Sequence, residues 1–249
     1  MLLRANTLFN FVRIADYKIF FGKTKPCKEI LPRNDESILA WEEIQEIFSS
    51  SIVLPYEIDI HVIRHAESEI NAKNLITGSK DAKLTSKGRH QASSLGERLE
   101  KSYDFAFTST LVRATSTLDL AVKAGNISVD HVVQDPRLNE RSLGILEGKK
   151  QRVVQEYASG NLDYAPQNGE TYREVSQRIL SFLISLTNYV SESKNAKKIL
   201  ICSHMGPMRI LAGILEKEED PVEVLKFHFS NADVWKIKCK ELHYPKFLS

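Results

Sequence analysis

A chain of 249 residues can bury one sizeable core, so one α/β domain with an appendage is expected rather than two equal domains. Lys and Arg number 34 against 32 Asp and Glu, and this net charge of +2 gives no reason to expect nucleic acid or an anionic membrane as a partner. No apolar run approaches the ~20 residues that span a bilayer. Three widely spaced cysteines without zinc-site spacing, and an N-terminus whose apolar stretches are interrupted by charges, predict a reduced cytoplasmic chain without a secretion signal.

Residues 1–55 form an N-terminal extension whose pattern differs from the rest. Aromatic and β-branched residues at 9–21 predict short strands. Residues 37–48 carry Trp41 and Ile44 among apolar residues at helical spacing, which predicts a short helix that packs on the main domain. The sequence assigns no function to this extension.

Residues 56–249 form the predicted main domain, in which apolar strand-like runs alternate with amphipathic helical stretches. The predicted strands are residues 58–64, 104–108, 131–134, 198–202 and 233–238. The predicted helices are residues 86–101, 111–124, 152–157, 172–193 and 207–215, and Thr171 with Glu174 predicts a capping box at the start of the longest. Such alternation is typical of crossover units on a mostly parallel sheet.

Polar clusters follow four of the predicted strands at the point where each strand ends. Arg64 and His65 end the first strand, residues 109–113 follow the second, residues 137–140 follow the third, and His204 follows the fourth. In an open α/β sheet, ligands bind where the carboxyl ends of the strands open into loops. We therefore expect the four clusters to converge on one site.

Arg64 and His65 suit the chemistry of a phosphate monoester. The ester is a dianion, and the planar arginine fork can hold two of its oxygens at any working pH. A neutral imidazole is a competent nucleophile near pH 7 because its ordinary pKa is roughly 6.5, and a covalent intermediate divides hydrolysis into two easier steps. On this dipeptide alone, a surface Arg-His pair at a strand end is the more frequent outcome.

The stretch Arg64-His-Ala-Glu-Ser-Glu-Ile-Asn71 resembles the signature of the histidine phosphatase superfamily, the phosphoglycerate mutase-like proteins, which usually have glycine where this chain has Ala66. Further blocks resemble the family's pattern in the same order between residues 57 and 240, at 74–78, 84–92, 109–117, 138–148, 169–171, 203–206 and 231–232. The resemblance implies an α/β three-layer sandwich: a mostly parallel central sheet with helices on both faces.

The resemblance also implies a role for each matched position. His65 would accept the phosphoryl group, and Glu140 would donate a proton to the leaving group. Three side chains would clamp the phosphoryl oxygens: Arg64, Arg113 and His204. Three more positions match residues that meet phosphate or substrate in the family's mutases: Asn71, Thr77 and Gly78. Neither a metal nor a cofactor is implied.

Each assignment has a plainer alternative. Arg113 by itself is typical of a solvated helix charge, Glu140 of a surface ion pair, and His204 of a helix cap. His61 and His65 would lie ~13 Å apart in a strand, too far to ligate one ion. We expect the remaining histidines to be structural or exposed: His61, His90, His131, His228 and His243.

A phosphatase acting on a small phosphorylated metabolite is the function we expect. Only residues 149–168 connect two of the family blocks, where the cofactor-dependent mutases carry a long insertion, and a short connection leaves the site open to water. Mutase activity is the alternative, because residues 71–78 are close to the mutase form. A silent phosphate-binding or scaffold protein ranks third, since binding needs neither His65 nor Glu140. The expected partner is the small substrate, and a homodimer is left open.

Overall fold

The computed structural model describes residues 10–14, 17–21, 40–49, 52–150, 162–193 and 196–242. Its strands are β1 (Asn10–Ile14), β2 (Tyr17–Phe21), β3 (Ile52–Arg64), β4 (Ser102–Thr108), β5 (Ser128–Gln134), β6 (Lys198–Ser203) and β7 (Val234–Leu242). They form one sheet in the order β1-β2-β5-β4-β6-β3-β7. The strands β2, β5, β4, β6 and β3 pair in parallel, whereas β1 and β7 pair antiparallel at the two edges.

Helices cover both faces of this sheet. They are α1 (Trp41–Ser49), α2 (Glu69–Ala72), α3 (Ser86–Arg98), α4 (Val112–Gly125), α5 (Tyr172–Glu192), α6 (Met205–Leu215) and α7 (Pro221–Lys226). Apolar residues of α3 and α4 share one core layer, and those of α1, α5 and α6 share the other. The predicted three-layer sandwich is therefore confirmed. None of the described helices has the length and apolarity needed to cross a bilayer.

The strand sequences explain why both faces are buried. In β3, Ile60 and Val62 belong to the core layer of α5 and α6, whereas Ile63 belongs to the layer of α3 and α4. Parallel strands covered on both faces read as nearly continuous apolar runs, as the four residues Ile199–Cys202 of β6 do. The predicted capping box is also confirmed: Thr171 accepts from the Glu174 backbone N–H, and the Glu174 carboxylate accepts from the Thr171 N–H. The predicted helix at 152–157 lies outside the described residues.

The predicted domain boundary after residue 55 falls inside β3. This strand begins at Ile52, which pairs with Leu242 of β7, and the register then shifts before pairing resumes between Ile58 and Cys239. Pro55 lies within that shift, where its missing N–H removes no ladder hydrogen bond. The strand therefore continues through a position at which the sequence indicates an interruption.

Helix α1 joins the core of the main domain, as its apolar spacing predicts. Trp41 is 3% exposed and Ile44 is fully buried, and both belong to the core layer that contains α5 and α6. The Trp41 indole N–H also donates to the carbonyl oxygen of Glu218 at 3.2 Å. The N-terminal extension thus contributes apolar surface to the core of the main domain.

The parallel strands deliver the predicted polar clusters to one edge of the sheet. β3 ends at Arg64, β4 at Thr108, β5 at Gln134 and β6 at Ser203, and these four strands are neighbours in the sheet. Because neighbouring parallel strands have their carboxyl ends on the same side, the four following loops meet there.

Replacing Ile44 with alanine should lower the free energy of unfolding by about 2–5 kcal/mol, because it leaves a cavity in a packed core. Urea unfolding of the full chain measures the loss. The matched control is Glu42→Ala on the exposed side of the same helix, which should change stability by less than about 0.5 kcal/mol. Equal effects of the two variants would show that α1 does not support the core.

Candidate active site

The carboxyl edge of the sheet opens into a cleft of about 280 Å³. Its wall includes most of the residues that the sequence predicts for the site: Arg64, His65, Asn71, Thr77, Gly78, Arg113 and Glu140. The other lining residues are Leu75, Ile76, Leu143, Met205, Arg209 and His228. The residues that the motifs single out are therefore brought together around one space.

A hydrogen bond to the backbone determines which ring nitrogen of His65 carries the proton. The imidazole is 2% exposed, and its Nδ1 lies 2.8 Å from the carbonyl oxygen of Ala66. A carbonyl oxygen can only accept a hydrogen bond, so Nδ1 must carry the proton. In the neutral imidazole, Nε2 then carries the lone pair that a nucleophile needs.

The surroundings of His65 keep its imidazole neutral. Burial lowers the pKa of His65 well below its ordinary value of 6.5, and the positive charges of Arg113 and Arg64 lower it further. Both effects disfavour the imidazolium. At neutral pH the ring therefore keeps its free lone pair on Nε2.

The backbone around His65 is fixed by bonds from three elements. The His65 N–H donates to the carbonyl oxygen of Ser203 at 3.0 Å, at the end of β6. The Ala66 N–H donates to the Thr117 hydroxyl of α4 at 2.9 Å, and the Asn231 side-chain amide donates to the His65 carbonyl oxygen at 3.0 Å. Thr117 and Asn231 lie in blocks that match the family, although the sequence did not indicate these contacts.

Arg113 is fully buried and has its guanidinium plane fixed by three bonds. Nε donates to His204 Nδ1 at 3.2 Å, and the two terminal nitrogens donate to the carbonyl oxygens of Lys80 at 2.6 Å and Gly78 at 2.8 Å. A guanidinium has five N–H groups, so two are left without a partner among the described residues. Burial lowers the pKa of Arg113, which nonetheless stays charged because its ordinary value is 12.5.

His204 lies directly beside His65. Its ring centroid is 4.9 Å from that of His65, and the ring is fully buried. Nδ1 accepts from Arg113 and Nε2 bonds to the Ser109 hydroxyl at 2.7 Å. Burial, followed by the charge of Arg113, lowers the pKa of His204 well below 6.5. The ring is not among the described residues that line the cleft, so its direct contact with phosphoryl oxygens remains a prediction.

Glu140 presents one oxygen to the cleft because the other is held by backbone donors. Oε1 accepts from the N–H groups of Arg141 and Gly206, both at 3.0 Å. A Cβ atom at Gly206 would lie 2.6 Å from this oxygen, so glycine is needed for the approach. Oε2 has no hydrogen-bond partner within the described part of the chain.

Asn71, Thr77 and Gly78 form a connected wall on the other side. The Asn71 amide donates to the Thr77 hydroxyl at 3.2 Å, and its carbonyl oxygen accepts from the Ser68 hydroxyl at 2.8 Å. Gly78 has a φ of +53°, and a Cβ atom there would lie 2.2 Å from Oε1 of Glu147. The loop can therefore follow this path only with glycine.

Six residues of the cleft wall were not assigned to the site from the sequence, and three of them carry a nitrogen or sulfur atom in the side chain. Met205 and Arg209 belong to α6, and His228 lies in the loop before β7. His228 is exposed, as expected, but no spacing in the sequence marks it as part of a site. Within the short connection formed by residues 149–168, residues 151–161 lie outside the described residues.

The cleft is rich in arginine, and a metal-binding cluster was not found in the described ranges. No group of three His, Cys, Asp or Glu side chains there is close enough to hold an ion. The lining of the cleft instead includes one carboxylate, Glu140, and three arginines: Arg64, Arg113 and Arg209. The arrangement therefore favours an anionic ligand beside the neutral imidazole of His65.

The stability of the fold should depend on pH because His65 and His204 are buried in the neutral form. Below pH 6.5 the unfolded chain takes up protons on these histidines while the folded chain does not, so stability is lost as the pH falls from 6.5 toward their lower folded pKa values. The free energy of unfolding should fall by up to about 1.4 kcal/mol per pH unit for each histidine. Urea unfolding between pH 7.5 and 5 measures this slope. The dependence of the free energy of unfolding on pH should be weaker in His65→Asn. The same pH dependence in this variant and in the wild type would show that His65 is not buried in the neutral form.

The chain is similar to known proteins over most of its length. The family model of the histidine phosphatase superfamily (branch 1) matches residues 60–244. A 2,3-bisphosphoglycerate-dependent phosphoglycerate mutase of Bartonella henselae is 34% identical over 166 residues, which cover 62% of this chain and 80% of that protein. One of Cytophaga hutchinsonii is 33% identical over 165 residues, covering 63% and 76%.

Solved structures share the fold. The α-ribazole phosphatase of Shigella flexneri is 27% identical with a TM-score of 0.62, and the match covers 76% of this chain and 95% of that one. A phosphoglycerate mutase of Bacillus anthracis, 21% identical, has the same fold with a TM-score of 0.63 over 76% of this chain and 92% of that one. Because the family model spans more than half of the sequence, the chain belongs to branch 1 of the histidine phosphatase superfamily.

Proposed function

We propose that this enzyme hydrolyses a phosphate monoester of a small metabolite through a phosphohistidine on His65. The observation that carries the proposal is the bond from His65 Nδ1–H to the Ala66 carbonyl oxygen, which leaves Nε2 unprotonated in a cleft lined by Arg64, Arg113 and Glu140. A buried neutral imidazole beside two guanidinium groups suits attack on a dianion, because those charges offset the repulsion between nucleophile and phosphate.

The first chemical step transfers the phosphoryl group to the enzyme. The Nε2 lone pair of His65 forms a bond to phosphorus while the bond from phosphorus to the ester oxygen breaks. Glu140, as the carboxylic acid, gives its proton to the departing oxygen, which leaves as an alcohol. The two unpartnered N–H groups of Arg113, together with Arg64, hold the phosphoryl oxygens through the step.

The second step returns the enzyme to its starting state. Glu140, now a carboxylate, takes a proton from a water molecule whose oxygen attacks phosphorus. The bond from phosphorus to Nε2 breaks, and inorganic phosphate leaves with the water oxygen. His65 Nδ1–H stays bonded to the Ala66 carbonyl oxygen throughout, which stabilises the charge on the phosphorylated ring.

Two observations support hydrolysis rather than transfer to a second substrate. Residues 149–168 make a short connection between two blocks, which leaves little chain to exclude water from the phosphohistidine. Two similar structures are named as α-ribazole phosphatases. The one from Shigella flexneri is 27% identical to this chain, and the one from Escherichia coli, whose name includes the word putative, is 28% identical.

Mutase activity is the second candidate, and the curated relatives favour it. Those from Bartonella henselae and Cytophaga hutchinsonii are named 2,3-bisphosphoglycerate-dependent phosphoglycerate mutases. An assay of the interconversion of 3- and 2-phosphoglycerate, with and without 2,3-bisphosphoglycerate, separates the two functions. Interconversion faster than phosphate release would replace the phosphatase proposal.

His65→Ala removes the proposed nucleophile. It should lower kcat/KM by at least about 1,000-fold, both for p-nitrophenyl phosphate and for the best ester in a metabolite panel. The control is His90→Ala on the exposed surface of α3, which should match the wild type. Near-normal turnover by His65→Ala would exclude the phosphohistidine route. A wild type that binds phosphate but hydrolyses no ester would support the silent binding protein instead.

Glu140→Gln should slow alkyl esters by about 100- to 10,000-fold and aryl esters by less than about tenfold, because an aryl oxide leaves with little need for a proton. Paired rate measurements on glycerol phosphate and p-nitrophenyl phosphate give the two ratios. Glu97→Gln, an exposed change on α3, is the control and should leave both rates unchanged. Equal losses on both esters would contradict the acid role of Glu140.

A further inference from the structure

A continuous chain of hydrogen bonds runs from the loop after β5 to the buried arginine of the cleft. Ser109 Oγ lies 2.7 Å from Asn139 Oδ1 and 2.7 Å from His204 Nε2. His204 Nδ1 lies 3.2 Å from Arg113 Nε. We refer to these four residues, Asn139, Ser109, His204 and Arg113, as the Asn139 chain.

The direction of the Asn139 chain is fixed from the arginine end. Arg113 can only donate, so His204 Nδ1 must be the acceptor. His204 is neutral, because burial and the charge of Arg113 lower its pKa, and its one ring proton is therefore on Nε2. That proton is donated to Ser109 Oγ.

The direction is fixed independently from the asparagine end. The backbone N–H of Thr110 can only donate, and it lies 2.9 Å from the same Asn139 oxygen. This contact identifies the atom as the carbonyl oxygen of the amide. Ser109 Oγ also receives the Leu111 N–H at 3.2 Å, so both of its lone pairs are used and its own proton points to Asn139.

We propose that Asn139 is a positioning residue that acts through Ser109 to hold His204 as the Nε2–H tautomer and thereby to fix the guanidinium plane of Arg113. With an acceptor at position 139, each of the three donors has one acceptor. Arg113 Nε–H donates to His204 Nδ1, His204 Nε2–H donates to Ser109 Oγ, and the Ser109 hydroxyl donates to Asn139 Oδ1. Without it, the Ser109 proton can turn toward His204 Nε2, and the ring can then take the opposite tautomer. That tautomer has a proton on Nδ1, so it forms only when the Arg113 Nε–H bond is lost and the guanidinium plane is released.

The catalytic consequence of this inference rests on the proposed function, in which Arg113 holds the phosphoryl group. The tautomer itself does not rest on it. The charged and titratable groups around the His204 ring are Arg113 from α4, His65 and Arg64 from the end of β3, and Arg178 from α5. All three arginines oppose an imidazolium, so the ring stays neutral, and the acceptor at position 139 acts together with Arg113 to select its tautomer.

Three variants at two positions test the chain. Asn139→Ala and Ser109→Ala should each lower kcat/KM for p-nitrophenyl phosphate by about 10- to 100-fold, the scale expected when a hydrogen bond that orients a charged group is lost. Asn139→Asp keeps an acceptor and should remain within about threefold of the wild type at pH 8. The control is Thr110→Val, which removes only the exposed Thr110 hydroxyl contact with Asn139 and should match the wild type.

A second measurement needs no substrate. ¹⁵N NMR of the histidine rings, assigned with His204→Gln, should show Nδ1 unprotonated and Nε2 protonated for His204 in the wild type at pH 7. Asn139→Ala should show both tautomers. In Asn139→Asp the added negative charge favours the imidazolium, so His204 should titrate at a higher pH than in the wild type.

The outcomes separate this inference from the proposed function. An Nδ1–H tautomer in the wild type, or an unchanged tautomer and unchanged kinetics in Asn139→Ala, would overturn the inference. If no ester is hydrolysed by any form, the proposed function fails while the NMR result still decides the tautomer. A loss of activity in Asn139→Ala that Asn139→Asp restores at pH 8, together with the shifted titration of His204, supports the positioning role. If Asn139→Asp instead fails as badly as Asn139→Ala at pH 8, position 139 does not act as a hydrogen-bond acceptor, and the inference is wrong.

Discussion

The hydrogen bond between His65 Nδ1–H and the Ala66 carbonyl oxygen is the interaction on which the rest of the site depends. It assigns the ring proton to one nitrogen and so leaves the lone pair on the other. The backbone that carries this carbonyl is fixed in turn by the Thr117 hydroxyl and the Asn231 amide. The orientation of the His65 ring is therefore set before any ligand binds, which in the proposed reaction reduces the reorganisation that attack on phosphorus requires.

The second constraint is electrostatic. Arg113 is a fully buried cation whose three fixed N–H groups donate to two backbone carbonyl oxygens and to a neutral imidazole, so no carboxylate neutralises it through these bonds. Burying an unneutralised charge is costly, and the structure offsets part of the cost with these acceptors. Burial, followed by the positive charge of Arg113, lowers the pKa of His65 and His204, and the same charge favours an anion in the cleft. Arg113 thus helps to keep His65 neutral and favours the dianion that the proposed reaction requires.

The sequence predicted the parallel sheet and the residues that follow its strands, because both are encoded locally. Continuous apolar runs mark buried strands, and Arg64, His65, Arg113, Glu140 and His204 lie in or next to short motifs at strand ends. Contacts between elements were not predictable in this way. Asn139 is one residue before Glu140 in the sequence, yet its partner Ser109 follows a different strand, and the bond depends on how β4 and β5 lie side by side. His228 reaches the cleft from a loop without a motif, and β3 extends past Pro55 because the irregular pairing with β7 tolerates proline.

Identification of the phosphorylated atom shows directly whether Nε2 of His65 accepts the phosphoryl group. Wild-type enzyme is mixed with a rapidly hydrolysed ester and quenched in alkali within its first turnovers. The protein is then digested with trypsin, which cleaves after Arg64 and Lys73. The phosphorylated peptide is analysed by mass spectrometry and by ³¹P NMR against phosphohistidine standards. The phosphohistidine route predicts one acid-labile phosphoryl group on the peptide of residues 65–73, attached to Nε2 of His65, since Nδ1–H is held by the Ala66 carbonyl oxygen. A phosphoryl group on Nδ1, on another residue, or nowhere during measured turnover would contradict it.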